Sequence, residues 1–219
     1  LEESLQGLAD LKPDHVSLYG LSFEPGTDFG RALEEGRMTP LDRDLWLAMY
    51  DRVCGWATGT MEFEQYEISN FGRPGMSSRH NRNYWRDGTW VGVGPGAHGQ
   101  IASDGNGVVR RFNPRSIKGW LKAVESWTDD DLLSGVTGER LDARQHLRER
   151  SMVGIRDLMI GIDPVRWSEE TKAVDGPLIS ALDRLIEQGD LTPHAPHRLT
   201  LAARRRSDCV AEALLNASQ

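Results

Sequence analysis

The residues of this chain best equipped for chemistry lie between Tyr66 and His98. Tyr66-Glu67-Ile68-Ser69-Asn70-Phe71 leads, through the loop-forming run Arg73-Pro74-Gly75-Met76-Ser77-Ser78, into Arg79-His80-Asn81-Arg82-Asn83-Tyr84-Trp85. His80 therefore stands just ahead of two amphipathic aromatics. A neutral imidazole is a good axial ligand for heme iron, and aromatic walls suit the face of a porphyrin. Asn81, or a carboxylate such as Glu67, would orient the other ring nitrogen. The plain alternative is a histidine that hydrogen-bonds across a strand end or turn, with Tyr84 and Trp85 as core. Spacing alone leaves both readings open.

Other patterns carry less. Gly94-Pro95-Gly96-Ala97-His98-Gly99 matches the glycine spacing of a dinucleotide loop, but that loop needs a helix to begin inside it and face a pyrophosphate. A proline sits in this turn and the following chain reads as a hairpin, so the expectation is a tight loop whose glycines let a ligand approach the backbone. His194 and His197, with no third ligand nearby, read as a solvated turn. Arg204-Arg205-Arg206, on an acidic chain, reads as a solvated helix face rather than a nucleic-acid contact. Cys54 and Cys209 are the only cysteines. They form neither a disulfide framework nor a cysteine-rich metal site and are expected to be small buried hydrophobes.

The elements that must position these residues follow from pattern. The chain has 219 residues, 38% of them hydrophobic, enough for one sizeable domain or one with a smaller neighbour. Its net charge of −7 argues against a general nucleic-acid binder. No apolar run approaches a membrane span and Leu1-Glu2-Glu3-Ser4 is no signal peptide, so a cytoplasmic location is expected. Leu1, Leu5, Leu8 and Leu11 sit at helical spacing and Lys12-Pro13 ends the helix; a domain rarely opens this way, and the chain reads as part of a larger architecture.

His15 to Phe23 is nearly continuously apolar, as in a parallel strand covered on both faces. Thr39 is the expected cap of a helix with Pro40 at its first position and Leu41, Leu45, Met49, Val53 and Trp56 as its buried stripe, ended by Gly59. Further strands are expected around Phe63–Ile68 and Thr89–Val93. This order is that of a parallel α/β fold, whose ligands sit at the carboxyl ends of strands: here residues 22–27, 69–85 and 94–99. Beyond residue 100, Ile101 to Arg110 reads as a hairpin turning at Asp104-Gly105-Asn106-Gly107. Asn113-Pro114 caps a helix with Ile117, Leu121 and Val124 along one stripe. Leu178, Leu182, Leu185 and Ile186 mark a helix ended by Gly189. Short strands at Asp190–Pro193 and His197–Thr200 and a last helix to Leu215 complete a winged-helix-like arrangement. The expected division is 1–127 and 128–219.

Several long strings agree in order and spacing with one family. Gln65-Tyr66-Glu67-Ile68-Ser69-Asn70-Phe71, Arg79 to Trp85, Val91-Gly92-Val93-Gly94-Pro95-Gly96-Ala97-His98, Val16 to Tyr19 with Glu24-Pro25-Gly26-Thr27, and Glu149 to Arg156 together resemble the HemW heme chaperones. These are relatives of the radical-SAM coproporphyrinogen III dehydrogenases. The resemblance implies the last strands of a partial (β/α) barrel followed by a small, mostly helical, winged-helix-like domain. It implies heme as cargo, with His80 as the iron ligand and Asn81, Tyr84 and Trp85 as its motif neighbours, and a protein that accepts the heme. It implies, for the complete protein, a [4Fe–4S] cluster and S-adenosylmethionine near Ser22, Gly94, Gly96 and His98. The C-x-x-x-C-x-x-C set that holds such a cluster is missing here, so this chain is expected to bind no cluster and to run no radical chemistry. No nucleic-acid partner is expected, and with no transmembrane segment any meeting with a membrane-bound acceptor would be peripheral. Two rivals remain: an oxygen-independent coproporphyrinogen III dehydrogenase, and a winged-helix nucleic-acid module.

Overall fold

In the computed structural model, which describes residues 1–102, 107–128 and 138–217, the first apolar stripe does what its spacing predicts. Helix α1 (Glu2–Leu11) buries Leu5 against Val16, Trp56, Ala57, Phe63 and Phe71, with Leu8 and Ala9 packed at the edge. Lys12 closes it in the left-handed region, φ 49°. The chain parts into two compact units, Leu1–Ser78 and Arg79–Gln219.

The first unit corrects the expected parallel strands. Strands β1 (His15–Ser17), β2 (Glu64–Gln65) and β3 (Asn70–Gly72) form a sheet in the order β1-β3-β2, and both pairings are antiparallel. The reason is local: only residues 66–69 separate β2 from β3, and so short a connection reverses the chain, whereas a parallel return needs a crossover of a dozen residues or more. β1 is then drawn onto β3 by Ser17 Oγ donating to Asn70 Oδ1 (2.6 Å) and by the Leu18 N–H donating to the Ser69 carbonyl (2.8 Å). Residues 18–23, read as strand from their apolarity, carry no regular structure. Helix α2 (Asp28–Glu34) was not signalled by periodicity; Thr27 caps it, its Oγ1 accepting from the Gly30 N–H at 3.0 Å. Helix α3 (Arg43–Gly55) is capped by Asp42, not Thr39, because the Asp42 carboxylate accepts from both Asp44 and Leu45 N–H groups. Its stripe is buried only at the far end: Leu41 and Leu45 are exposed, while Val53 and Trp56 reach the core.

In the second unit, α4 (Arg79–Trp85) precedes an antiparallel sheet of β4 (His98–Ala102), β5 (Val108–Phe112) and β6 (Gly138–Leu141). The expected hairpin is present as β4–β5, its Asp104-Gly105-Asn106 turn lying outside the described residues. The expected strand near Thr89–Val93 is reduced to one bridge between Trp90 and Gln100. Helix α5 (Ile117–Ser126) is capped by Ser116, whose hydroxyl takes the Gly119 N–H, rather than by Asn113-Pro114. Its Ile117, Leu121 and Val124 stripe is exposed. Helices α6 (Ala143–Gly154), α7 (Pro164–Thr171), α8 (Gly176–Glu187) and α9 (Ser207–Leu215) enclose Ile155, Ile162, Leu178, Leu182 and Leu214, all fully buried. Gly189 stands just past α8 at φ 76°, and α9 ends where its pattern predicts. Between them the expected strands shrink to the Leu191–Leu199 bridge with flanking bonds from Thr192 N–H to Arg198 O and Thr200 N–H to Asp190 O, both 2.9 Å.

The expected boundary near residue 128 falls inside this unit. β6 completes the sheet begun by β4, and side chains span the position: Arg110 pairs with Glu149, and His146 Nε2 lies 2.8 Å from Asp87 Oδ1. These partly buried polar contacts tie residues 79–127 to the helices beyond. Among the described residues no helix is long and apolar enough to cross a membrane.

Candidate functional site

The string Arg79-His80-Asn81-Arg82-Asn83-Tyr84-Trp85 is helical, although histidine, asparagine, tyrosine and tryptophan are all indifferent helix formers. Tertiary contacts hold it. Arg82 and Arg86, one turn apart, both donate through Nε to Asp157 Oδ2, at 3.2 and 3.4 Å. Asp157 is 2% exposed. Its other oxygen accepts from the Met159 and Ile160 N–H groups (3.0 and 3.1 Å), so the carboxylate is fixed by backbone before it meets an arginine. The 3.6-residue period then places His80 and Tyr84 on the side of α4 away from Arg82 and Arg86.

On that side His80 is exposed. Its Nε2 lies 3.1 Å from the Tyr84 hydroxyl, and the two rings meet edge to face with centroids 4.8 Å apart at 80°. Tyr84 in turn meets Trp90 edge to face, 4.7 Å and 85°. Trp90 is seated by a reciprocal pair of backbone bonds with Gln100, both 2.9 Å. Val91 and Val93, next along the chain, are 60% and 85% exposed. A solvent-open imidazole in contact with Tyr84, which in turn meets Trp90, fits a cargo with a flat apolar face and a metal open to one more ligand. The residues present fit heme.

Of the four motif residues, the structure joins His80 to Tyr84 and separates Trp85 from them. The Trp85 ring lies 5.7 Å from the Arg156 guanidinium, and its buried Nε1 has no hydrogen-bond partner among the described residues. Asn81 stands half-buried on the next position of the helix. Trp90 was missed; the signal was an aromatic just beyond the Asp87-Gly88 turn that closes α4. Glu67 does not act as an orienting partner: its carboxylate accepts from the Ser69 N–H (2.9 Å) and the Asn70 amide (2.5 Å) within its own turn. Neighbouring side chains work the same way. Gln65 donates to Tyr50 Oη and Ile68 O, and Tyr66 Oη meets His15 Nε2 at 2.6 Å while accepting from the Ser78 N–H. Burial pushes the His15 imidazole below its ordinary titration range, which suits a neutral partner for a phenol. The Gln65–Phe71 string is architecture.

The glycine-rich loop is a tight turn, as expected. Pro95 and Gly96 occupy its corner, Gly96 at φ 70° and Gly94 at φ 100°, and the Ala97 N–H returns to Gly94 O at 3.3 Å. No helix starts in it, and His98 begins β4 with its ring 4.6 Å from that of Phe112. Asn113, 5% exposed, holds the loop by donating to Gly92 O (3.2 Å) and Gly94 O (2.8 Å). Asn113→Ala strands two carbonyls and is expected to cost the second unit about 2 kcal/mol, read as a lowered urea midpoint with unchanged slope. Gly94, Gly96 and His98 thus share one loop-and-strand segment, whereas Ser22 lies exposed in the first unit.

The remaining candidates resolve simply. His197 is buried rather than solvated, its Nδ1 2.8 Å from Thr192 O, and His194 is exposed. Cys54 is half-buried at the first core, but Cys209 is exposed, against expectation, because it falls on the outer side of α9 while Val210, Ala211 and Leu214 point inward. Among the described residues no group of three His, Cys, Asp or Glu side chains could hold a metal ion. Two thiols are too few for an iron–sulfur cluster, which needs three or four.

No protein-family model matches the chain. It is 31% identical over 195 residues to the Bacillus subtilis heme chaperone HemW, covering 86% of this chain and 47% of that protein. It is 36% identical over 170 residues to the mitochondrial radical S-adenosyl methionine domain-containing protein 1 of Bos taurus, covering 75% of this chain and 37% of that one. The chain therefore spans less than half the length of these curated relatives. A solved structure of the Escherichia coli coproporphyrinogen III oxidase HemN, described as a radical SAM enzyme, superposes with a TM-score of 0.64 over 98% of this chain and 51% of that one, at 14% identity. That match is one of fold: an α/β arrangement of helices and small sheets.

Proposed function

The chain belongs to the family of HemW heme chaperones and radical-SAM coproporphyrinogen oxidase-like proteins, matching their C-terminal portion, and from that premise we propose that it is the heme-carrying portion of a heme chaperone. The observation that carries the reading is the exposed His80 imidazole on a helix anchored from its opposite side. Heme is the cargo; its iron is a Lewis acid that takes one imidazole nitrogen. His80 supplies that nitrogen, Tyr84 and Trp90 offer aromatic edges, and Val91 and Val93 offer apolar surface to the macrocycle. An accessible ligand suits delivery: a cargo held at an open surface can be passed to an acceptor protein without unfolding the carrier. The two cysteines of this chain cannot hold a [4Fe–4S] cluster, so in this reading the cluster and S-adenosylmethionine of the radical-SAM type belong to the remainder of a longer protein, as in relatives of which the chain spans less than half.

The test is a heme titration of wild type beside His80→Ala, followed at the Soret band. Wild type is expected to give a saturable, shifted band, and the variant to bind at least tenfold more weakly, about 1.4 kcal/mol, with an altered spectrum. Equal affinity and spectrum would sink the assignment. Consumption of coproporphyrinogen III by the complete protein under anaerobic conditions would favour the dehydrogenase instead.

A further inference from the structure

A histidine ligand has two nitrogens, and which one meets a metal is set by the hydrogen bond that the other makes. In this structure the partner is already in place. Tyr84 sits one helical turn from His80, its hydroxyl 3.1 Å from Nε2, and the edge-to-face contact leaves the imidazole plane almost perpendicular to the phenol ring. Tyr84 is itself held by Trp90, which lies outside the helix and is fixed to β4 by two backbone bonds. The series β4, Trp90, Tyr84, His80 is thus a continuous support running from a sheet to an exposed ring. An exposed histidine on a short helix ordinarily samples several rotamers and both tautomers; this one is tied.

We propose that Tyr84 is the positioning residue of the iron ligand: it accepts the Nε2–H of His80, and so leaves Nδ1 unprotonated as the nitrogen offered to heme, with Trp90 as the brace that keeps Tyr84 in place. The inference rests on the heme-carrying reading above and deepens it by naming the nitrogen and the groups that select it. Asp157 anchors the helix and Trp90 anchors the ring, so the two supports act on different sides of α4. A hydrogen-bonded neutral imidazole is also a stronger electron donor to a metal than an unpartnered one, which tunes the bound iron.

Two measurements decide it. The first uses the heme-free protein: ¹⁵N–¹H correlation spectra of the His80 ring in wild type, Tyr84→Phe and Trp90→Ala, at a pH where the ring is neutral. Wild type is expected to show the Nε2–H form in clear excess, and Tyr84→Phe, which keeps the ring but not the hydroxyl, a shift toward the mixture of a free imidazole. Trp90→Ala is expected to fall between them. The second is heme titration of the same proteins, with the reduction potential of the bound heme. Tyr84→Phe is expected to weaken binding severalfold, to no more than about tenfold, and to move the potential and the Soret maximum, while circular dichroism stays that of wild type. Wild-type tautomer ratio, potential and affinity in Tyr84→Phe would overturn the proposal. So would tighter binding, because it would mean that Tyr84 competes with iron for Nε2. The tautomer measurement involves no heme, so it stands whether or not His80→Ala binds normally; a failed cargo assignment and a failed positioning role are therefore separable.

Discussion

Asp175→Ala is expected to lower the stability of the second unit by about 3 kcal/mol, the sum of a lost helix cap and a broken buried ion pair. Asp175 is 1% exposed and serves two partners. One oxygen caps α8 by accepting the Leu178 N–H at 3.1 Å, and the carboxylate takes the Arg148 guanidinium through both Nε and a terminal nitrogen, the latter at 3.0 Å. Removing it leaves the Arg148 guanidinium, 17% exposed, without that partner. Asp175→Asn keeps the cap and loses the charge, and is expected to cost about 1–2 kcal/mol. The pair also sets a pH dependence. Burial pushes the Asp175 carboxyl up, but the Arg148 hydrogen bonds, the Leu178 N–H and the charges of Arg148 and Arg144 outweigh it, and the group ends below its ordinary value of 3.8. A carboxyl depressed in the folded state contributes its full stability above the unfolded value and loses it as pH falls through the folded one. Urea melts should therefore show wild type and Asp175→Asn well separated at pH 7 and converging below pH of about 4. A constant gap across that range would show that the charge contributes nothing.

How much of this could be read from sequence depends on what holds each element. Helices stabilised by their own apolar stripe were legible: Leu5 and Leu8 in α1, and Leu178, Leu182 and Leu185 in α8, lie where their spacing puts them. The Val108–Arg110 half of the hairpin was legible through its glycine-rich turn, and the Gly94–Ala97 loop through its proline. Elements held by side chains far away were not. Arg79–Trp85 has no apolar helical stripe and few strong helix formers besides its arginines; the segment is fixed by Arg82 and Arg86 reaching Asp157, more than seventy positions on. The antiparallel first sheet was misread for a related reason. Continuous apolarity in His15–Phe23 suggested a strand covered on both faces, yet only Val16 of the three-residue strand is buried, and direction is dictated by the short 66–69 turn and the Asn70 amide. Of the candidate site, the sequence offered His80 and Tyr84 in one string, while their contact with each other, the contact of Tyr84 with Trp90, the anchoring by Asp157 and the turn that occupies Glu67 emerge only from the fold. A bland polar motif and a ligand-orienting motif have the same composition; only the hydrogen-bond partners tell them apart.

On the heme-carrying reading proposed above, Asp157 is where stability and cargo binding meet, and Asp157→Ala should show both. The substitution removes the acceptor of two guanidinium groups and strands the Met159 and Ile160 N–H donors, for a cost of about 3 kcal/mol in the second unit. Arg82 and Arg86 remain partly exposed, 21% and 46%, so water recovers some of the loss and the penalty stays below that of a fully buried pair. What distinguishes this site from Asp175 is its address. Asp175 ties α6 to α8 through Arg148 and the Leu178 N–H; Asp157 holds α4 itself, from the side opposite His80. Asp157→Ala is therefore expected to release the helix locally, with faster amide hydrogen exchange at residues 82–86 under conditions where the core of Leu178, Leu182 and Leu214 is still protected. Heme affinity should fall with it, although Asp157 contacts neither His80 nor Tyr84, because an untethered seven-residue helix has no reason to persist alone. Asp157→Asn keeps an oxygen for the backbone donors and should retain part of both properties, while Asp175→Ala of equal global cost should leave heme affinity at native-state concentrations unchanged. If both aspartate variants weaken heme binding equally, the effect is one of general stability, and the anchoring role assigned to Asp157 is wrong.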